Sequence, residues 1–378
     1  MEHELLRSRT LVPFLDLTPA NEPLRESILA AFERTISSGA FTNGPEVAQF
    51  EAAFAAYCGS AHCIGLASGL DALRLALLAG GLELGSEVIL PALTFAATVE
   101  AVLQAGGSPV LADVAEGDYN LDPEAAKAAA TNRTELLLPV HLFGQLADMA
   151  SLERIARDQD LWILEDACQA HGAARDGRRA GTTGRGGAFS FYPAKNLGAF
   201  GDAGALVTGD SSLAARVEAL REHGQVRKYE HELEGYTARL DTLQAIVLLH
   251  KLPLLDGWND ERRAAARFYN EALADLGDLR LPPVADGSDP VWHLYVVRTA
   301  QPDRLGRYLA ERGIGTGRHY PQPIHLAPAF ARLGYAKGSF PVAEAIAKEC
   351  LSLPIFPGVT EEQLARVVEA VEGYFNGG

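Results

Sequence analysis

Short runs of apolar and β-branched residues alternate along the chain with stretches whose apolar positions recur every three or four residues. The runs His62–Leu66, Glu87–Leu90, Pro109–Asp113, Leu136–Val140, Leu161–Glu165, Ala188–Phe191 and Ala205–Thr208 predict seven strands. Spacings between them, such as Leu70-Leu73-Leu77 and Leu152-Ile155-Ala156, predict amphipathic helices. Strands that alternate with helices pair in parallel and are covered on both faces, so the expected class is α/β, with a mostly parallel seven-stranded sheet.

Beyond Thr208 the pattern changes. Leu240, Leu243, Ile246, Val247 and Leu249 predict a longer helix ending near Pro253, and another is expected from Asn259 to Leu276. Apolar Val291–Val297, helical Pro302–Arg312, a Gly- and Pro-rich stretch from Gly313 to Pro328, and closing helices near Val342–Cys350 and Glu361–Tyr374 describe a smaller α+β unit. The expected division is a large domain over residues 1–250 and a small C-terminal domain over 251–378, with the first ~20 residues able to pack on the small one.

Acidic residues outnumber basic ones, 49 to 33, for a formal net charge of −16. That balance argues against nucleic acid, whose phosphates favour Lys and Arg stripes, and no basic run offsets it. The charged start Met1-Glu2-His3-Glu4-Leu5-Leu6-Arg7-Ser8-Arg9 is followed by no long apolar stretch, so neither a secretion signal nor a membrane anchor is expected, and the cytoplasm is the expected location. Cys58, Cys63, Cys168 and Cys350 form no Cys-x-x-Cys pair and are expected to be reduced; no metal centre is expected.

Three segments carry chemistry. Ala67-Ser68-Gly69-Leu70-Asp71 follows a strand and opens a helix, where free N–H groups and the helix dipole favour a phosphate, although an ordinary capped helix looks the same. No Gly-x-Gly-x-x-Gly or Gly-Lys-Ser/Thr motif supports a dinucleotide or ATP instead. Leu161–Asp166 is an apolar strand ending in two carboxylates, for which a cap and a cofactor partner both fit. Lys195 lies among aromatic, small and Gly residues in Phe189–Gly198, a setting in which a desolvated amine reacts with an aldehyde. Together, in this order, the three fit pyridoxal 5'-phosphate: a phosphate turn, an acid for the pyridine nitrogen, and a lysine for the aldehyde.

With those residues in place the sequence resembles the DegT-type sugar-nucleotide aminotransferases, a group of fold-type I pyridoxal phosphate enzymes. The resemblance runs from Pro13-Phe14-Leu15-Asp16-Leu17 through Ser68–Leu73, Glu87–Pro91, Thr94-Phe95, Pro139–Gln145, Glu165–Gly172 and Ser190–Gly198 to Arg239-Leu240-Asp241. It implies that Lys195 links to the cofactor and shuttles protons, that Asp166 pairs with the pyridine nitrogen, that Gln169 faces the ring hydroxyl and that Phe95 covers the ring. The phosphate would be held by the Gly69 and Leu70 N–H groups and the Ser190 hydroxyl.

This chain departs from the family pattern at two places. Leu70 stands where many relatives have Thr, which removes a side-chain hydroxyl, and Thr237 stands where many have an Asn that reaches the phosphate from the partner subunit. The Ser68-Gly69-Leu70-Asp71 variant and the stretch Arg318–Leu326 resemble the branch acting on 3-oxo sugars, which implies substrate roles for Arg239, His319, Tyr320 and His325. The expected activity is a homodimeric transfer of an amino group, from L-glutamate, to C3 of a nucleotide-linked (dTDP) 3-keto-deoxysugar. Amination at C4 and a cofactor-binding regulator without turnover are the alternatives. A nucleotide-binding dehydrogenase is a third class, and dehydrating relatives replace the lysine with His.

Overall fold

The computed structural model describes residues 11–377, so the expectations drawn from Met1–Arg9 lie outside the described residues. Seven strands form one sheet: β1 (His62–Leu66), β2 (Glu87–Pro91), β3 (Ser108–Ala112), β4 (Thr134–Leu137), β5 (Trp162–Asp166), β6 (Gly186–Ser190) and β7 (Gly204–Thr208). Their order is β1-β7-β6-β5-β4-β2-β3. The strands from β2 to β6 pair in parallel, and β7 is antiparallel to both β6 and β1. Each predicted run is a strand of this sheet. Every residue of β2 and of β7 is buried, which is why these strands read as unbroken apolar runs rather than as alternation.

One boundary differs for a clear reason. The fourth strand, expected at Leu136–Val140, is Thr134–Leu137. Pro139 has no N–H to donate, so the ladder breaks there, and the chain rejoins β5 through a bridge between Val140 and Asp166.

Helices α1 (Arg25–Ser38) and α2 (Pro45–Cys58) precede the sheet. After them come α3 (Gly69–Gly80), α4 (Ala96–Gln104), α5 (Met149–Asp158), α6 (Thr242–Lys251) and α7 (Leu255–Ala272). Phe54 of α2 meets the Phe189 and Phe191 rings edge-on, both at 5.1 Å, and so pins β6 and the turn that follows it. Deleting such a ring costs about 3–5 kcal/mol.

A second core gathers Tyr269 of α7, Tyr295 of β8 (Tyr295–Arg298) and Leu309 of α8 (Pro302–Glu311). Leu353 of β9 (Cys350–Leu353) and Val367 of the last helix, Glu361–Phe375, complete it. The helix expected through Cys350 is α9 (Pro341–Glu349), and β9 then pairs antiparallel with β8. Within one short apolar run, periodicity alone does not separate helix from strand. Val12 belongs to this core, and Leu11 and Val12 donate their N–H groups to Gly313 O at 2.8 and 3.0 Å, beside the Gly- and Pro-rich loop. No helix among the described residues is long and apolar enough to cross a membrane.

Candidate functional site

The carboxyl ends of β1, β5 and β6 converge around a cavity of about 620 Å³, in the position where open α/β sheets bind ligands. β1 passes into α3 through Ser68, an extended N-cap whose Oγ accepts the Asp71 N–H at 3.0 Å. Gly69 and Leu70, the first residues of the helix, line the cavity with N–H groups that have no intrahelical acceptor. Gly69 is required by space: a Cβ there would stand 2.7 Å from both Cys168 Sγ and Ser190 Cβ.

The two carboxylates that end β5 part company, because successive side chains of a strand point to opposite faces. Glu165 is wholly buried away from the cavity and accepts the Gly181 N–H at 2.8 Å and the Thr183 N–H at 2.5 Å, with His141 Nε2 at 2.7 Å. The Ala147 N–H donates to His141 Nδ1 at 3.2 Å, so the ring proton is on Nε2, and a neutral imidazole donates to the carboxylate. Glu165 is therefore satisfied by the scaffold. Asp166 faces the cavity at 5% exposure, where Thr98 Oγ1 donates to its Oδ2 at 2.8 Å and the Cys168 N–H to its Oδ1 at 3.2 Å.

Lys195 follows β6 in a turn closed by its own N–H donating to Tyr192 O at 2.8 Å. Its amine has no hydrogen-bond or ion-pair partner among the described residues, although it lines the same cavity as Asp166. Burial lowers its pKa, while Cys168 and Asp166 act in the opposite direction. Next to it, the Asn196 side chain donates to Asn259 Oδ1 at 2.8 Å and to Val291 O at 2.9 Å, which fixes the turn against α7.

The Gln169 amide is oriented at both ends: Oε1 accepts the Phe143 N–H at 2.8 Å and Nε2 donates to Tyr320 OH at 3.1 Å. It therefore presents its remaining N–H, not an acceptor, toward the cavity it lines. The mouth is aromatic. Phe14 stacks on His319 at 5.5 Å, His319 meets Tyr320 edge-on at 5.8 Å, and Tyr320 lies 5.9 Å from Phe95. Burial and the Lys195 charge lower the His319 pKa to about 4, so that ring is neutral.

Gly69, Leu70, Phe95, Asp166, Gln169, Ser190, Lys195, His319 and Tyr320 thus line one cavity. Thr237 and Arg239 do not: Thr237 Oγ1 lies 3.1 Å from His223 Nε2, and Arg239 pairs with Glu222 at 3.0 Å. The expectation for His325 is corrected. Its ring is buried behind the wall, with Nε2 2.9 Å from Glu344 Oε1 and its edge on Phe340, so it does not face the cavity. Sequence reasoning missed Thr98, Phe14, Arg262 and His293 as wall residues. Thr98 sits one turn beyond Phe95 on α4, a signal within reach; Arg262 and His293 carry no local motif and arrive only through the packing of α7.

A family model described as "DegT/DnrJ/EryC1/StrS aminotransferase family" matches residues 23–372. The chain is 49% identical over 360 residues to a Streptomyces venezuelae dTDP-3-amino-3,4,6-trideoxy-alpha-D-glucose transaminase, covering 95% of each chain. The crystal structure of S. venezuelae DesV superposes with a TM-score of 0.94 at 49% identity, covering 96% of this chain and 98% of that one. Bacillus subtilis ntda with bound cofactor PMP superposes with a TM-score of 0.87 at 31% identity, covering 97% and 85%.

Proposed function

The chain belongs to the DegT/DnrJ/EryC1/StrS aminotransferase family, and from that premise we propose that it uses pyridoxal 5'-phosphate to move the amino group of L-glutamate onto C3 of a dTDP-linked 3-keto-deoxysugar. The observation that carries this reading is a lysine amine without a partner among the described residues, lowered in pKa, in the cavity that the buried Asp166 carboxylate faces. The wall fits the cofactor: Gly69 leaves a cradle that a Cβ would fill, and two N–H groups at a helix start await an anion.

When bound, the cofactor supplies an electron sink that makes the proton on the substrate carbon removable. Lys195 Nζ takes that proton and returns one, as base and then acid, and burial, which lowers its pKa, favours the neutral amine that a base requires. Asp166, aimed by the Thr98 and Cys168 bonds, would keep the pyridine nitrogen of the bound cofactor protonated. The remaining Gln169 N–H would donate to the ring hydroxyl oxygen, and Phe95 would cover the ring. Ser190 and the Gly69 and Leu70 N–H groups would hold its phosphate. His319 and Tyr320, neutral and aromatic, line the substrate end.

The enzyme is further proposed to be a cytoplasmic homodimer, in which Thr237 and Arg239 complete the neighbour's site. C3 is favoured over C4 by the naming of the 49%-identical relative and by the Ser-Gly-Leu-Asp start of α3. Incubating the holoenzyme and glutamate with dTDP-3-keto and dTDP-4-keto sugars and identifying the amine by mass tests it. Amination of the 4-keto sugar alone would overturn the C3 assignment.

A further inference from the structure

Besides Lys195, two cations line the cavity, Arg262 and Arg318. Arg318 has a carboxylate partner, Asp303, and donates to Ala347 O and Lys348 O. Arg262, 2% exposed, has none among the described residues. Its Nη1 donates to Trp292 O at 3.1 Å, His293 O at 3.4 Å and Ile355 O at 3.0 Å, its Nε is buried without a partner, and Nη2 makes no hydrogen bond among the described residues. Burial lowers its pKa to about 10, which leaves it charged at neutral pH. Carbonyl dipoles solvate such a charge but do not neutralise it, and a planar guanidinium with a free edge matches a carboxylate.

His293 lines the cavity beside it. Asn196 uses its amide nitrogen on Asn259 and Val291, so Asn196 Oδ1, 3.2 Å from His293 Nδ1, must accept. The His293 ring proton is therefore on Nδ1, and Nε2 keeps its lone pair. Burial first, then the Lys195 and Arg262 charges, hold this imidazole neutral. A fixed cation next to a fixed neutral acceptor, on the wall shared with the reactive amine, is the complement of an α-amino acid.

We propose that Arg262 and His293 form the amino-donor subsite, Arg262 taking the donor's carboxylate and His293 Nε2 accepting a hydrogen bond from its amino group. The proposal rests on the aminotransferase reading. It separates the two substrates, because the keto-sugar carries no carboxylate at its reacting carbon, and its diphosphate is held away from that carbon by the sugar ring.

The test follows each half-reaction by single-turnover absorbance: enzyme in the pyridoxal form with L-glutamate, and enzyme in the pyridoxamine form with the keto-sugar nucleotide. Removing one partner of a buried charge pair is expected to lower kcat/KM of the glutamate half of Arg262→Met about 100-fold, mainly through KM. The keto-sugar half is expected to stay within about threefold, and Arg262→Lys to recover roughly tenfold of the glutamate loss. Calorimetric affinity for glutarate, which has carboxylates and no amine, should fall in parallel with the glutamate half. Equal loss in both halves, loss confined to the keto-sugar half, or unchanged glutarate binding overturns the subsite. If Arg262→Met does not fold, the wild-type rate with glutamate α-amide decides: a slow amide supports the subsite, and a rate equal to that of glutamate overturns it. Glutamate turnover without amination of any keto-sugar would sink the proposed acceptor and leave this subsite standing.

Discussion

Replacing Gly69 with Ala probes the phosphate turn where the fit is tightest. The added Cβ would lie 2.7 Å from Cys168 Sγ and 2.7 Å from Ser190 Cβ, with Ser190 Cα at 3.2 Å. Carbon atoms in contact prefer about 3.5–4.0 Å, so roughly 1 Å of displacement must be shared between the first turn of α3 and its neighbours. Overpacking of this kind costs about 1–3 kcal/mol. Ala gains up to ~1 kcal/mol over Gly in a helix, so the net loss of stability stays within ~3 kcal/mol, below the ~5–15 kcal/mol of a typical domain, and the protein folds. The displaced atoms, however, are the N–H groups proposed to receive the phosphate. A cofactor affinity lowered about 10–100-fold is expected, equivalent to ~1.4–2.7 kcal/mol. Titrating the apoenzyme with pyridoxal phosphate by visible absorbance measures it, with thermal unfolding of the apo form as the control. Adding Cys168→Ala removes one of the two 2.7 Å contacts and should restore part of the affinity, while the Ser190 contact remains. Unchanged affinity in Gly69→Ala, or equal losses in the single and double variants, would refute the steric reasoning.

Lys195→Ala should cut transamination by ~10³-fold or more while the fold survives, since the amine bonds to nothing that holds the chain together; a variant keeping a tenth of the rate would show that another group moves the proton. Asp166→Asn can still accept from Thr98 but cannot keep the pyridine nitrogen protonated, so single-turnover rates with glutamate should fall on the order of 10³-fold. An unchanged rate would remove Asp166 from its role. Co-refolding Lys195→Ala with Arg239→Glu should restore activity in mixed dimers, because one of their two sites then pairs intact Lys195 with intact Arg239. No rescue, with mixed dimers verified by mass, would mean that both residues serve the same subunit's site.

The sheet was legible because its strands are largely buried and so appear as apolar runs, and the Ser68-Gly69 turn and Lys195, which share one cavity, stood out because each lies within a local motif. The two carboxylates of β5 were not separable by sequence, since the choice depends on which face of the strand each reaches. Asp166 faces the cavity, and Glu165 answers Gly181, Thr183 and His141 behind it. His325 shows the opposite failure. It follows His319 and Tyr320 in one motif-bearing loop, but the short 3₁₀ turn Ile324–Leu326 buries it against Glu344 and Phe340. Arg262 and His293 join the wall only because α7 and the segment before β8 pack across the end of the sheet, which no spacing along the chain records.

The most direct measurement is the visible absorbance of the purified holoenzyme during sequential addition of substrates. L-Glutamate alone should shift the band completely, and a dTDP-linked 3-keto-deoxysugar added afterwards should restore it, with one equivalent of amino sugar formed per site. A band that stays fixed under glutamate would describe a protein that binds the cofactor without turnover, and would contradict the role of Lys195 as the proton carrier of a transaminase.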